Sequence, residues 1–402
     1  MHVPCVVAGG GPAGMMFGLL LARAGVGVVV LEKHADFLRY FRGDTIHPST
    51  LEVMYELGIL DDFLSRPHQE MRQLSGHVLG ETITIADFSH LPTHCQFLAL
   101  MPQWDFLNFL VEHARRLPAF ALRMEAEVTG LIVDSGDDDR VAGLTVKTPE
   151  GPIEIRADLV IGADGRHSIV RERAELSIES FGAPIDVLWL RLRKSPDDPK
   201  QVLGYLEPGH ILVMLDRDEY WQCGYVIPKG GFDEIRQRGL PAFQETLASI
   251  VPFMRDPVGE LRDWADIKLL TVLVDRLRRW YRPGLLCIGD AAHAMSPIGG
   301  VGINLAIQDA VAAANLLSGP LARGTCSTRD LERVQRRREF PTRLTQRAQL
   351  VIQERFIRRA LEGTALQQLP WPLKLLRRWP VLRRIPACLV GVGIRPEHIV
   401  SR

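Results

Sequence analysis

The chain lacks an excess of charge: 48 Lys and Arg offset 48 Asp and Glu in 402 residues. No basic stripe interleaved with aromatics stands out, which argues against a nucleic-acid partner. No two of the six cysteines (Cys5, Cys95, Cys223, Cys287, Cys326, Cys388) form a CxxC pair. Zinc ribbons and dithiol redox centres are therefore not expected, and no metal site is. No uncharged apolar run reaches the ~18–20 residues of a membrane span. The apolar start, residues 3–8, runs straight into a glycine loop rather than a signal-peptide cleavage site. Internal repeats and low-complexity linkers are missing as well. A cytoplasmic, soluble protein with reduced cysteines is the expectation. A hydrophobic content of 46% is ample for the core of two joined domains.

What is there is a set of three glycine- and acid-bearing segments far apart in the chain. The first, Gly9-Gly10-Gly11-Pro12-Ala13-Gly14, follows a buried strand and opens an apolar helix from Pro12 to about Ala24. Gly9, Gly11 and Gly14 fit the dinucleotide fingerprint of a tight turn, a close approach to pyrophosphate and close helix–strand packing. The helix N-terminus offers backbone N–H groups to an anion. Glu32, followed by Lys33, ends the next strand about 20 residues on, where an acid binds ribose hydroxyls. An acid there prefers a free ribose hydroxyl to a 2′-phosphate, which suits FAD and NAD alike.

The third segment discriminates. A buried strand at 285–288 delivers Gly289-Asp290, then His293, Pro297 and a second glycine loop, 299–302, that starts a small-residue helix. A carboxylate at a strand end accepts hydrogen bonds from a polyol. A helix N-terminus aimed at a planar ring stabilises negative charge on its pyrimidine end. Reduced flavin carries that charge and nicotinamide does not. The middle segment, Ala163-Asp164-Gly165-Arg166-His167-Ser168-Ile169-Val170-Arg171, again follows a buried strand.

Together these motifs resemble the p-hydroxybenzoate hydroxylase family of single-component FAD-dependent aromatic monooxygenases, over residues 3 to about 318. The resemblance implies that Gly9, Gly11, Ala13, Gly14, Glu32 and Lys33 hold the ADP half of FAD, and that Arg42 lies near the pyrophosphate. It implies that Gln103 and Asp290 hold the ribityl chain, and that Asp164 belongs to a motif serving both FAD and NAD(P)H, with Arg42, Arg166 and Arg171 toward the nicotinamide nucleotide. Gly300, Val301, Gly302, Ile303 and Asn304 would line the pyrimidine edge. The backbone of Pro297, with Gly299 and Gly300, would face the reacting substrate. The implied activity is hydroxylation of an aromatic or electron-rich small molecule by dioxygen and NAD(P)H through a flavin hydroperoxide. An FAD-dependent reductase of a hydrophobic, prenyl-like substrate and a non-catalytic flavin-binding module are the alternatives. Only one GxGxxG is present, so NAD(P)H has no Rossmann domain of its own. The run Tyr220–Pro228 lacks the tryptophan pair of flavin halogenases.

The expected fold class is α/β: a Rossmann-like FAD-binding domain (1–71, 101–177 and 275–325) interleaved with a mixed β-sheet substrate domain (72–100 and 178–274), then C-terminal helices and a basic tail (326–402). Among the expected strands is one antiparallel run over 122–133. Substrate contacts are expected from alternate residues of one sheet face, with Trp189, Arg191, Tyr205, Met214 and Tyr225 as candidates. Arg191, flanked by apolar residues, needs a partner if buried. His293 is read as structural; His47, His94 and His210 have no partner visible in the sequence. The tail sets Trp371, Leu375, Leu376, Trp379 and Leu382 among Lys374, Arg377, Arg378, Arg383 and Arg384. Four prolines break it, which favours packing on the enzyme's own surface over a peripheral membrane contact or a homodimer contact.

Overall fold

The computed structural model describes residues 2–38, 45–134, 136, 139–199, 203–217, 219–363 and 369–400. Arg42 lies outside the described residues. Two large sheets organise the rest. The first has eight strands. Its parallel centre runs Leu285–Cys287, Gly151–Gly162, His2–Ala8, Val28–Leu31, Phe120–Arg123. Leu285–Cys287, Val28–Leu31 and the C-terminal ends of His2–Ala8 and Gly151–Gly162 are buried on both faces, as their apolar runs require, while the edge strand Phe120–Arg123 is partly exposed. Helices Pro12–Arg23, Gly302–Ala322 and Gln103–Ala114 pack together beside this sheet. Helix Gly302–Ala322 belongs to a segment long and apolar enough to cross a membrane, but 72% of that window is buried inside the protein.

One strand departs from expectation. Residues 122–133 do not form a single antiparallel run. Phe120–Arg123 is a parallel edge of the central sheet, and Glu127–Val133 begins a separate hairpin with Val141–Thr148. Glu125, at φ 53°, breaks the run between them.

The second sheet has seven strands, in the order Lys268–Leu270, Ile185–Arg193, Tyr220–Pro228, His210–Asp216, Leu203–Glu207, Gln73–Val78, Glu81–Asp87. One face is closed by helices Phe232–Arg238, Leu240–Ile250 and Arg255–Gly259, whose Phe243, Leu247 and Val258 pack on Leu188, Leu190 and Leu192. Gly239, at φ 89°, separates the first two of these helices.

A buried ionic cluster locks the C-terminal region to the first sheet. Asp309, in the middle of helix Gly302–Ala322, accepts hydrogen bonds from Gly289 N–H (3.1 Å), His293 Nε2–H (2.6 Å) and Arg338 Nε–H (3.0 Å). Arg338 comes from the long helix Thr328–Ile352 and also donates to Glu397 in the tail. The side chains of Asp309, His293 and Arg338 are at most 1% exposed. Burial pushes the Asp309 carboxyl up, but His293 and Arg338 outweigh it and hold the group below its ordinary range.

The tail lies on the enzyme itself. Ala387 is buried against Phe88 and Leu91, Arg377 pairs with Glu81, and His398 and the Ile399 N–H reach Glu56. Trp371, Trp379, Val381, Ile385 and Leu389 remain exposed.

Asp309→Ala takes from the buried Arg338 and His293 side chains the carboxylate they share and is expected to cost about 3–5 kcal/mol, read as a lower denaturation midpoint. Because the folded-state pKa is depressed, the carboxylate's contribution is present above the unfolded value of about 3.9 and is lost as pH falls through the lower folded value. The variant therefore loses part of the wild type's acid sensitivity below about pH 4.

Candidate active site

The three glycine-bearing segments converge at the ends of neighbouring parallel strands. A Cβ on Gly9 would overlap the Ala163 carbonyl and stand 2.8 Å from Asp164 Cα. One on Gly289 would meet the Ala13 and Ala306 methyls at 3.1 and 3.2 Å. One on Gly162 would meet Val170 Cγ1 at 2.9 Å and Cys287 Sγ at 3.0 Å. The first turn thus touches both the second and the third. Gly14 closes the set: its missing Cβ lets the helix sit against the Gly9 carbonyl.

Gly11 differs. It caps helix Pro12–Arg23 with φ −73° and no side-chain cap, and a Cβ there would meet nothing within 4 Å. The helix N-terminus therefore opens onto free space with donors unsatisfied, the arrangement an anionic pyrophosphate fills. Glu32 accepts from Gly10 N–H at 3.1 Å and His34 N–H at 3.1 Å, beside that opening. Lys33 is exposed, and Gln103 is the first residue of its helix. Asp290 is partly exposed, with Arg166 Nε 3.6 Å away. The second opening is the start of helix Gly302–Ala322. It follows Gly299 and Gly300, both at positive φ, and a Cβ on Gly302 would again meet nothing within 4 Å. Val301 and Ile303 are partly exposed there. Two uncapped helix starts joined by a strand-end carboxylate fit the diphosphate, polyol and pyrimidine parts of FAD.

Asp164 works inside the protein. It accepts from Ser168 Oγ–H (2.5 Å) and Val170 N–H (3.1 Å), and burial raises its pKa. Arg171, expected to face the nicotinamide nucleotide, is instead buried. It donates to the Arg166 carbonyl at 2.6 Å and the Ala291 carbonyl at 3.5 Å, and lies 3.6 Å from Asp275. It clamps the second segment to the third. Asn304 is also turned inward, its Oδ1 accepting from His47 N–H (3.0 Å) and Thr50 Oγ–H (2.7 Å).

His47 was invisible as a site residue because its partners lie more than 250 positions away. It is fully buried, and its Nδ1–H donates to the Val390 carbonyl at 2.7 Å. Its Nε2 has no partner and lies 3.6 Å from where a Cβ on Gly300 would sit. Burial lowers its pKa to about 4, so it is neutral at ordinary pH with a lone pair near the second glycine loop.

The expectation that the five substrate candidates share a face fails. Trp189 pairs with Gly224 and lies on the second-sheet face opposite the covering helices, packed with Ile357 and Leu361, and Arg191 two residues on shares that face. Tyr225, Met214 and Tyr205 pair in register with Leu188, Cys223 and Leu212, and all three pack into the core beneath the covering helices. The alternation was right within each strand, but the register between strands could not be read from one sequence. Arg191 is exposed and stacks on the Tyr220 ring at 3.6 Å, so it needs no buried acid.

Gly11→Val is expected to leave the apo fold intact while crowding out the diphosphate. Its purified form should contain little flavin yet show a wild-type apo unfolding transition. Gly14→Ala, by contrast, should lower the unfolding midpoint itself, because its new methyl collides with backbone.

Comparison with known proteins agrees with this geometry. Residues 2–348 match the FAD binding domain family. The 6-methylpretetramide 4-monooxygenase of Streptomyces rimosus is 34% identical over 393 residues, covering 96% of this chain and 92% of the relative. The para-nitrophenol 4-monooxygenase of Pseudomonas sp. strain WBC-3 is 27% identical, covering 83% of each. The solved structure of P. aeruginosa PqsL with 2-aminobenzoylacetate superposes with a TM-score of 0.77 at 20% identity, over 90% of this chain and 99% of that one. With open, uncapped starts at two helices and these relatives, the chain belongs to the FAD binding domain family, as an FAD-dependent aromatic monooxygenase of the p-hydroxybenzoate hydroxylase kind.

Proposed function

We propose that the protein inserts one atom of dioxygen into an aromatic small molecule at the expense of NAD(P)H. The observation that carries this reading is the third segment. It presents a strand-end carboxylate, Asp290, and an uncapped helix start after two positive-φ glycines. When bound, FAD supplies hydride acceptance and oxygen activation.

The residues present do the remaining work. Gly9, Gly11, Ala13 and Gly14 admit the diphosphate, with Glu32 and Lys33 beside the adenosine half. Gln103 and Asp290 hold the polyol chain. The helix start at Gly300, Val301, Gly302, Ile303 and Asn304 places positive partial charge at the pyrimidine edge, favouring its anionic form. The backbone of Pro297, Gly299 and Gly300 borders the reacting centre. Arg166, less buried than Arg171, takes the nicotinamide nucleotide, while Arg171 and Asp164 keep the second segment in place. The two sheets with the tail between them exclude water, which protects the activated oxygen from wasteful loss.

NAD(P)H oxidation should be stimulated by an accepted aromatic and should match dioxygen uptake and hydroxylated product one to one. Under anaerobic conditions no product should form; product formed without dioxygen would instead mean a reductase. Arg166→Ala should raise the KM for NAD(P)H about tenfold, through loss of a charge-assisted contact, with flavin content retained.

A further inference from the structure

The C-terminal tail has two faces, and the enzyme itself uses only one of them. Three helical pieces, Trp371–Arg378, Pro380–Arg383 and Arg384–Gly391, pack along Glu81–Asp87, the edge strand of the second sheet. A bare edge strand invites pairing with another chain, and the tail removes that hazard. The inner face is closely seated. Ala387 is fully buried, and a Cβ on Gly391 would stand 2.7 Å from Leu91 Cδ1 and 3.3 Å from Pro48 Cγ. This seat fixes which side of the last helix faces outward.

That outward side is apolar where a surface helix is ordinarily polar. Ile385, Cys388 and Leu389, at i, i+3 and i+4, are exposed on the side opposite Ala387 and Gly391. Ile385 and Leu389 are more than half exposed, and so are Trp371, Trp379 and Val381 in the two preceding pieces. A single exposed apolar side chain needs no explanation. A run of them along one surface segment marks a place where something else binds.

Charge is segregated along the same segment. The chain as a whole is neutral, with 48 basic and 48 acidic residues, yet residues 369–396 hold Lys374, Arg377, Arg378, Arg383, Arg384 and Arg395 and no acid. On the long helix before the tail, exposed arginines are answered locally: Arg333, Arg336 and Arg343 pair with Asp330, Glu332 and Glu339. In the tail Arg377 pairs with Glu81. Lys374, Arg378 and Arg384 are exposed and form no ion pair among the described residues. Trp371, Lys374 and Arg378, at i, i+3 and i+7, stand on one exposed side of their helix, so an indole and two cations are presented together.

We propose that the outer face of the tail docks on an anionic lipid bilayer and holds the enzyme there as a peripheral protein. The tryptophans and aliphatic side chains enter the boundary between headgroups and acyl chains, and Lys374, Arg378 and Arg384 meet lipid phosphates. Cations without acids select a negatively charged partner. Protruding apolar side chains on short, separate helices fit a deformable apolar phase better than a shaped protein pocket. The prolines that would break a free amphipathic helix do no harm here, because the edge strand holds each piece in place. Leu389 faces outward, while Val390 beside it lies 3.8 Å from where a Cβ on Gly299 would sit. Docking therefore brings the bilayer to about one helix diameter, ~10 Å, from the second glycine loop.

The test is flotation of the FAD-loaded enzyme with two vesicle preparations, phosphatidylcholine alone and an equimolar mixture with phosphatidylglycerol. The enzyme is expected on the anionic vesicles and not on the neutral ones, with binding that falls as salt rises. Lys374→Gln combined with Arg378→Gln is expected to lower the partition coefficient about thirtyfold, through loss of two cations at an anionic surface. Trp371→Ser combined with Trp379→Ser is expected to lower it about tenfold or more. All four side chains point to solvent, so flavin content and thermal midpoint should match wild type in both variants. No binding to anionic vesicles, equal binding to both preparations, or unchanged binding in either double variant overturns the lipid surface. A concentration-dependent dimer that the tryptophan variant dissolves, without vesicle binding, also overturns it and assigns the face to a second copy of the chain.

Discussion

Everything in this molecule depends on three backbone turns pressed together at the ends of parallel strands. At Gly9, Gly14 and Gly289 a β-carbon would strike backbone or a neighbouring methyl. Two helix starts therefore open onto the same region, with the Asp290 carboxylate between them. Unsatisfied N–H groups at helix starts are stable only beside water or an anion. The close approach that orders the fold also leaves the donors a dinucleotide needs.

The surrounding structure holds this arrangement from behind. Asp309 joins the Gly289 turn to Arg338, and Arg338 reaches Glu397 near the chain end. Val390, from the same tail, fixes His47 and borders Gly299. A tail rich in arginine and tryptophan is thereby packed against the second glycine loop, not an appendage. The buried charges are tolerated because each is paired and hydrogen-bonded. They also give the C-terminal region one seating on the first sheet.

Local signals were legible wherever the chemistry is local. The strand–glycine–helix pattern at 9–14, the acid at 32 and the Gly289-Asp290 turn each announce themselves within a few residues, because a tight turn or an uncapped helix start has its own composition. Signals failed where partners are remote. Nothing near Arg171 in the chain announces Ala291 and Asp275 beside it, and nothing near Asn304 announces His47 and Thr50 against its side chain. Residues 122–133 read as one strand, since the positive φ at Glu125 has no signature in a residue type that rarely adopts it.

The amino-acid order alone determined the class of cofactor and the strand–turn–helix units that meet it, since these follow from backbone sterics over short stretches. Only the tertiary structure decided which side chains share the sheet face opposite the covering helices. Pairing in register placed Trp189 in line with glycines 76, 204 and 224 and sent Tyr205, Met214 and Tyr225 to the covered side. The physical reason is the two-residue period of a strand: a shift of one position between neighbours exchanges the two faces, and nothing within a single strand records that shift.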